Sequence, residues 1–512
     1  MLQFAIEALT IIFQPATLGL MFFGIGIGVM VGILPGLGGT VGMSLLLPFI
    51  FGMDAQSAIP LMIGMAAVIH TADTFPSVLL GVPGSSGSQA TIMDGYPLAR
   101  LGQAARALGA AFFSSMFGGL IGATTLLLIL PIARPMVLAF GSPELFMLAV
   151  LGLSMVAILA GKRPLRGLIS GMLGLLIGSI GAAPTTPFYR YTFDALYLYD
   201  GIKLAVLALG LFALPEILDL LASGTSIAQK DSEDKAVSSA SGWLQGLRDV
   251  IANRFLVLRS AVIGVIVGFI PGLGGSVVDW ISYGLARQTV PNPDNFGKGD
   301  VRGVIAPESS NNAKEGGSLI PTLLFGIPGS GTTAVLLGAF VILGLQPGPR
   351  MLKETGDLNV TILIIMTLAV ANVFGALACL LMSGVVSKLA TIRAARLAPF
   401  LLVIMLAGAY QSTRSWGDLL AFLLIGLLGW VMRHLKYPLP PLLIGFVLSV
   451  GVERYLWLST TRYEWEWLTR PGVLIIAAIT IVLTIGSFRV NQQTAATAAK
   501  LKEEAQSGSS SS

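Results

Sequence analysis

Apolar stretches recur along the chain at a length and number that neither a soluble core nor a single anchor accounts for. Met147–Ala160, Leu168–Ile180 and Val473–Ile485 are representative. Runs of this kind, separated by short polar segments, predict many membrane-spanning helices. Within several runs glycine and proline stand together in strings. GILPGLGGT at Gly32–Thr40 is answered by GFIPGLGGS at Gly268–Ser276, with six of nine positions identical. LLGVPGS at Leu79–Ser85 is answered by LFGIPGS at Leu324–Ser330, and Pro76 and Pro321 each stand seven residues before the second motif's proline. The motifs keep their order, 48 residues apart in the first half (Pro35 to Pro83) and 57 in the second (Pro271 to Pro328). Two matches in order make a duplication the better account than chance.

This pattern predicts an all-α polytopic membrane protein of two repeats, residues 1–221 and 254–486. Residues 222–253, with Lys230, Asp231, Glu233, Asp234 and Lys235, read as a polar cytoplasmic linker. Residues 487–512, with Lys500, Lys502 and a serine-rich end, are expected to form a disordered tail. Basic clusters set the orientation. Arg100/Arg106, Lys162/Arg163/Arg166, the linker, Lys388/Arg393/Arg396, Arg433/Lys436 and the tail all fit the cytoplasmic side. The span near 107–130 then runs outward and its counterpart near 358–384 inward, which makes the repeats inverted. Arg134, Arg414, Arg462 and Arg470 are left outside by this thread.

Composition narrows the function. Of 512 residues 54% are hydrophobic and only 11% are charged, against about 25% charged in a soluble domain. The formal charge of +5 resides in the loops, so nucleic acid binding is not implied. The single cysteine, Cys379, excludes an intrachain disulfide and a thiolate cluster. No basic segment precedes the first apolar run, and no cleaved signal peptide is expected. The histidines are His70 and His434, without an H-E-x-x-H string or a P-loop. An enzyme would have to rely on Ser77, His70 and Asp73, and none is expected.

Inverted repeats place their site near the bilayer midplane, where corresponding helices are broken. Proline interrupts a helix, glycine admits close approach of a ligand, and the next helix presents free N–H groups to an anion. Thr40, Ser276, Ser85, Ser86, Ser330, Thr332 and Thr333 add hydroxyls, and exposed carbonyls near Gly39, Gly275 and Ser330 offer a place for a sodium ion. For one copy alone, a tight turn between spans would serve as well. The stretch APESSNNAKEGG at Ala306–Gly317 is the most polar segment flanked by apolar chain. Glu308, Asn311 and Asn312 are candidate site residues, because polar groups at membrane depth are expensive; Lys314 and Glu315 favour the alternative, a water-exposed loop. In the first half, His70 and Asp73 share a helical face, a spacing that suits a structural hydrogen bond better than a proton relay. Asp94-Gly95 before Tyr96-Pro97 reads as a turn.

The chain resembles the large membrane subunit of the tripartite tricarboxylate transporters, the TctA family, from about residue 15 to 485. The resemblance rests on the doubled PGLGG, MDGYPLARLGQA at Met93–Ala104, APESSNNAKEGGSLIPTLLFGIPGS at Ala306–Ser330, LLGAFVILGLQPGPRML at Leu336–Leu352 and TFDALYLYDGI at Thr192–Ile202. It implies a secondary active transporter of the bacterial inner membrane that takes up carboxylates by symport with sodium or protons. It also implies a small four-helix membrane subunit and a periplasmic substrate-binding protein as partners, with no other cofactor. Carried over, Pro35, Gly36, Gly38, Gly39 and Thr40 pair with Pro271, Gly272, Gly274, Gly275 and Ser276 as one set of substrate loops. Gly84, Ser85 and Ser86 pair with Gly329, Ser330 and Gly331 as the other, at re-entrant hairpin tips; Glu308, Asn311 and Asn312 match the family's PE-x-x-NN string. The chain departs from the family at VIHTADTFPS, Val68–Ser77, where a segment like YYGAQYGGS is usual, and LSVGVER at Leu448–Arg454 matches only loosely. The alternative function is an ion channel or exchanger built on the same broken helices.

Overall fold

The structure, a computed structural model, describes residues 1–34, 38–159, 164–223, 239–270, 277–389 and 398–482. Pro35 and Gly36 of the first motif, and Pro271, Gly272, Gly274, Gly275 and Ser276 of the second, lie outside the described residues, as do residues 224–238 of the expected linker and the whole expected tail. The described chain is helical apart from a two-stranded ribbon. Among the described residues, six helices are long and apolar enough to cross a membrane, or seven if one bent pair is a single span.

The first stretch comprises α1 (Leu2–Ile12), α2 (Pro15–Ile33), α3 (Gly38–Leu46), α4 (Ala55–Ala72), α5 (Thr74–Leu79), α6 (Ile92–Leu98) and α7 (Ala104–Leu138). α8 (Ser142–Leu159), α9 (Pro164–Gly178) and α10 (Leu196–Tyr199) follow, with β1 (Gly181–Ala182) paired antiparallel to β2 (Tyr189–Arg190) between α9 and α10. Next come α11 (Leu204–Ala208), α12 (Leu214–Ser223), α13 (Ala240–Ala252), α14 (Arg254–Phe269), α15 (Val278–Thr289), α16 (Arg302–Phe325), α17 (Gly331–Ile342) and α18 (Leu358–Leu389). Then follow α19 (Ala398–Gln411), α20 (Trp416–His434), α21 (Leu439–Tyr463) and a shorter apolar helix, Pro471–Val482. The fold divides into two compact units, residues 1–139 with 203–430 and residues 140–202 with 431–512. Each unit therefore takes chain from both repeats. In the second unit, α9 meets α21 where Gly171 and Gly174 face Gly445 and Leu442 backbone to backbone, and Arg470 closes on Glu144 at 2.8 Å.

The first unit is organised by close helix contacts. In α2, Gly28 and Gly32 lie under α4: a methyl carbon on Gly28 would stand 2.8 Å from the Met65 carbonyl oxygen, and on Gly32 2.7 Å from that of Ile69. In α14, Gly264 and Gly268 meet the Ser310 and Lys314 backbone of α16 in the same manner. On its other side α16 faces Gly118 and Gly122 of α7, where the added carbon on Gly122 would reach the Ala313 carbonyl oxygen at 2.7 Å. Small residues at four-residue spacing let backbones touch, and packing of this kind holds helices together in lipid. The polar stretch Ala306–Gly317 is thus no water-exposed loop. It is the middle of a 24-residue helix in which Gly303–Leu324 are all buried.

The internal repeat reaches individual hydrogen bonds. Gly84 N–H donates to Ser77 Oγ and Gly329 N–H to Thr322 Oγ1, both at 3.4 Å. Ser77 Oγ donates to the Asp73 carbonyl and Thr322 Oγ1 to the Ser318 carbonyl. Val82 N–H reaches the Pro76 carbonyl as Ile327 N–H reaches that of Pro321, and Gly81 and Gly326 each turn the chain with φ of 69°. In this register His70 corresponds to Glu315.

Asp94 is not in an open turn but inside α6, fully buried. Its Oδ1 accepts the N–H groups of Gly297, Gly299 and Asp300 at 2.8–2.9 Å, and its Oδ2 the Tyr283 hydroxyl at 2.9 Å. It clasps the loop that leads into α16. Beside it Asp300 is partly buried, which works against its charge, but hydrogen bonds from Arg302 outweigh this and hold its carboxyl below the usual range.

Two outcomes follow from this packing. Gly122→Val and Gly268→Val are each expected to cost about 1–3 kcal/mol of stability, read as a lower melting temperature in detergent. Gly26→Ala, where the added carbon meets nothing within 4 Å, should leave melting unchanged or slightly raised. Asp94→Ala leaves four donors without an acceptor and is expected to cost about 3 kcal/mol or more, against about 1 for Tyr283→Phe; equal melting of the two variants would refute the clasp.

Candidate functional site

α16 sets out its polar residues at helical spacing. Glu308, Asn311, Asn312 and Glu315 share one face, over about 10 Å of helix, and all are buried. All four meet residues of the first repeat. Glu308 accepts three hydroxyl hydrogens, from Thr91 at 2.6 Å and from Thr74 and Ser115 at 2.9 Å. These donors come from α5, the start of α6 and α7, so one carboxylate gathers three elements. Asn312 Nδ2 donates to Thr71 Oγ1 at 2.8 Å and to Asn372 Oδ1 of α18 at 3.0 Å. Asn311 Nδ2 reaches the His70 carbonyl at 3.4 Å, and its Oδ1 accepts Lys314 Nζ at 2.7 Å.

Beyond Asn311 the groups are charged. Glu315 Oε1 lies 3.3 Å from Lys314 Nζ and 3.2 Å from His70 Nε2. His70 Nδ1 lies 3.6 Å from Asp73 Oδ2, too far for the structural hydrogen bond expected of that pair. The same Asp73 oxygen takes a hydrogen bond from the Ser85 hydroxyl. Among the described residues, both His70 ring nitrogens, Asp73 Oδ1, Asn312 Oδ1 and Glu315 Oε1 are buried without a hydrogen-bond partner. Phe75, also in the departing segment, serves packing, edge-on to Phe112 at 4.9 Å.

The broken segments converge on the same place. α3 begins at Gly38 and α17 at Gly331, both at the motif glycines. At nine and 12 residues they span about 14 and 18 Å, roughly half a hydrocarbon core. A methyl carbon on Gly39 would lie 2.6 Å from Thr332 Oγ1 and 3.3 Å from His70 Nε2. Two helix N-termini, one from each repeat, therefore adjoin beside His70. Ser330 caps α17: its hydroxyl accepts the Thr333 N–H and its own N–H donates to Thr333 Oγ1. Its carbonyl is already engaged by Thr333 Oγ1 and the Ala334 N–H. Gly84 and Gly329 fold back against Asp73 and Ser318. Gly87 abuts the Asn311 amide, Thr40 is half-buried and Ser86 lies exposed.

The structure thus joins Gly39, Ser85, Glu308 and Asn311 around one buried polar cluster with Asn312 at its side. Sequence reasoning missed Thr74, Thr91, Ser115, Thr71 and Asn372, lone hydroxyls and an amide in apolar helices. It also read Lys314 and Glu315 as marks of a loop. The register of the two VPGS/IPGS motifs, followed back to His70 and Glu315, was the available signal.

The family described as "Tripartite tricarboxylate transporter TctA family" matches residues 18–444. A protein of Agrobacterium vitis described as "Uncharacterized 52.8 kDa protein in TAR-I ttuC' 3'region" is 32% identical over 444 residues, 86% of each chain. A second from that organism, in the TAR-II ttuC' 3'region, is 33% identical over 193 residues, 38% of this chain and 79% of its own. No solved structure matches. With the membrane helices already in place, these matches settle the family: the chain is a multi-pass membrane protein that belongs to the TctA family of tripartite tricarboxylate transporters.

Proposed function

We propose that this chain is the permease subunit of a secondary active transporter that takes up a small tricarboxylate or dicarboxylate across the bacterial inner membrane. Its two repeats act as inverted halves that expose one site alternately to either side, and the tips at Gly84–Ser86 and Gly329–Gly331 act as re-entrant hairpins. A substrate-binding protein in the periplasm delivers the anion, and a small four-helix membrane subunit completes the assembly. The observation that carries this reading is the meeting of the α3 and α17 N-termini beside His70, whose Nε2 shares Glu315 Oε1 with the buried Lys314. Helix N-termini favour anions, and a carboxylate is held there without exposed charge.

The charges of the cluster support coupling to a cation. Asp73, Glu308 and Glu315 are three carboxyl groups; Lys314 and His70 are the cationic candidates beside them. An added carboxylate meets more carboxyl groups than cationic candidates, at a depth where unpaired charge is costly. A proton or sodium ion entering with it restores the balance. Glu308 holds the first repeat to α16 through its three hydroxyls, so transport should depend on it.

The test is reconstitution in proteoliposomes with both partner subunits, using labelled citrate, isocitrate, succinate and malate under proton and sodium gradients. Gradient-driven accumulation of at least one is expected, with Glu308→Ala losing it by about 100-fold or more and Thr91→Val retaining a measurable fraction. Accumulation of none by the wild type, with partners present, would overturn the reading.

A further inference from the structure

Glu315 Oε1 stands between the Lys314 ammonium and the His70 ring. Lys314 Nζ is 3.3 Å away on one side and His70 Nε2 3.2 Å on the other, and no hydrogen bond commits that oxygen to either. Lys314 is itself buried to 1% exposure. Its ammonium has one hydrogen-bond acceptor in the Asn311 amide and an ion-pair partner in Glu315, with Asp73 and Asp279 within electrostatic reach. His70 is buried too, and among the described residues neither ring nitrogen has a hydrogen-bond partner.

Resting on the carboxylate-carrier reading, we propose that Glu315 is an exchangeable counter-ion through which a proton taken up at His70 frees Lys314 to bind a carboxylate of the substrate. With His70 neutral, Glu315 compensates Lys314 and the ammonium is unavailable. A proton arriving at His70 Nε2 makes an imidazolium that takes Glu315 as its partner, with Asp73 on the other ring edge. The Lys314–Glu315 pair opens, and the substrate carboxylate replaces Glu315 at Lys314 Nζ. For the one substrate carboxylate that replaces Glu315, one proton enters at His70, so His70, Glu315 and Lys314 together with that carboxylate gain no net charge. The N-termini of α3 and α17 adjoin His70 at Gly39 and Thr332, where backbone N–H groups favour an anion.

The groups that face His70 fit this role. From its own segment there is Asp73, and from α16 Lys314 and Glu315. Asp279 of α15, Glu308 of α16 and the Cys379 thiol of α18 lie within electrostatic reach of Asp73. α2, α3, α5 and α17 bring no titratable side chain. Histidine alone in this set ordinarily changes charge near neutral pH.

Linkage makes the idea measurable: if protonation strengthens carboxylate binding, carboxylate binding must draw in protons by the same factor. The purified complex in weakly buffered detergent is titrated with the carboxylate that the wild type accumulates, chosen from citrate, isocitrate, succinate and malate. A pH dye records proton uptake, and calorimetry records affinity across the titration range of histidine. For the wild type, affinity should rise by about tenfold or more toward acid pH, with protons taken up on binding. His70→Gln should bind weakly at every pH and Glu315→Gln tightly at every pH. Proton uptake should vanish in both, a result that a merely structural role for His70 would not produce. If His70→Gln does not elute as a monodisperse complex, Glu315→Gln carries the test. Wild-type accumulation on a sodium gradient alone, with proton uptake unchanged in either variant, would overturn this inference while leaving the carrier standing. A wild type that accumulates no carboxylate at all would instead sink the carrier reading.

Discussion

Placing a polar helix inside a membrane protein is the constraint around which the first unit is built. α16 carries Glu308, Asn311, Asn312, Lys314 and Glu315, and water is not there to solvate them. Such groups are tolerated only where protein supplies the hydrogen bonds and counter-charges. Glycine supplies the proximity: Gly118 and Gly122 on one flank, Gly264 and Gly268 on the other, bring neighbouring backbones into contact with α16. Hydroxyls supply the partners, three of them on Glu308 alone. A hydrophobic α16 would need neither arrangement.

The repeat explains how the partners come to be in place. In both halves a glycine-lined helix, α2 or α14, leads to a PGLGG string and packs on the helix that ends near the second motif, α4 or α16. The matched bonds of Ser77 with Thr322 and Gly84 with Gly329 fix the same turn twice. What differs between the copies is chemistry. α4 is apolar up to His70, whereas α16 is polar from Glu308 onward, so one copy supplies most of the charged chemistry and the other largely its hydroxyls and close walls.

Membrane class, helical fold and family were legible in the sequence, as was the polar character of the stretch that holds Glu308, Asn311 and Asn312. Long apolar runs report spans directly, and APESSNNAKEGG stands out as polar chain in apolar surroundings. The same polarity hid α16 itself, since hydropathy marks helices that face lipid and α16 faces only protein. Lone hydroxyls such as Thr91 and Ser115 carry no local signal; their role arises when three segments fold onto one carboxylate. Asp94 is similar: its N–H donors come from a loop some 200 residues on, about which the local Asp-Gly string is silent. The His70–Asp73 spacing pointed to a pair, but the stronger neighbour, Glu315, lies on another helix.

That neighbour is also the residue equivalent to His70 in the second copy, and the equivalence has a physical consequence. Where two repeats adjoin, corresponding positions are brought near each other, and identical side chains there would meet like against like. Two glutamates would repel and two imidazoles would give no fixed acceptor. Divergence to histidine in one copy and glutamate in the other converts the meeting point into a potential ion pair whose strength depends on one proton. Lys314, next along the chain from Glu315's own helix turn, then has a competitor for its counter-ion. A duplicated scaffold with one asymmetric pair at the junction is sufficient to tie the charge available to an anion to the protonation of a single ring.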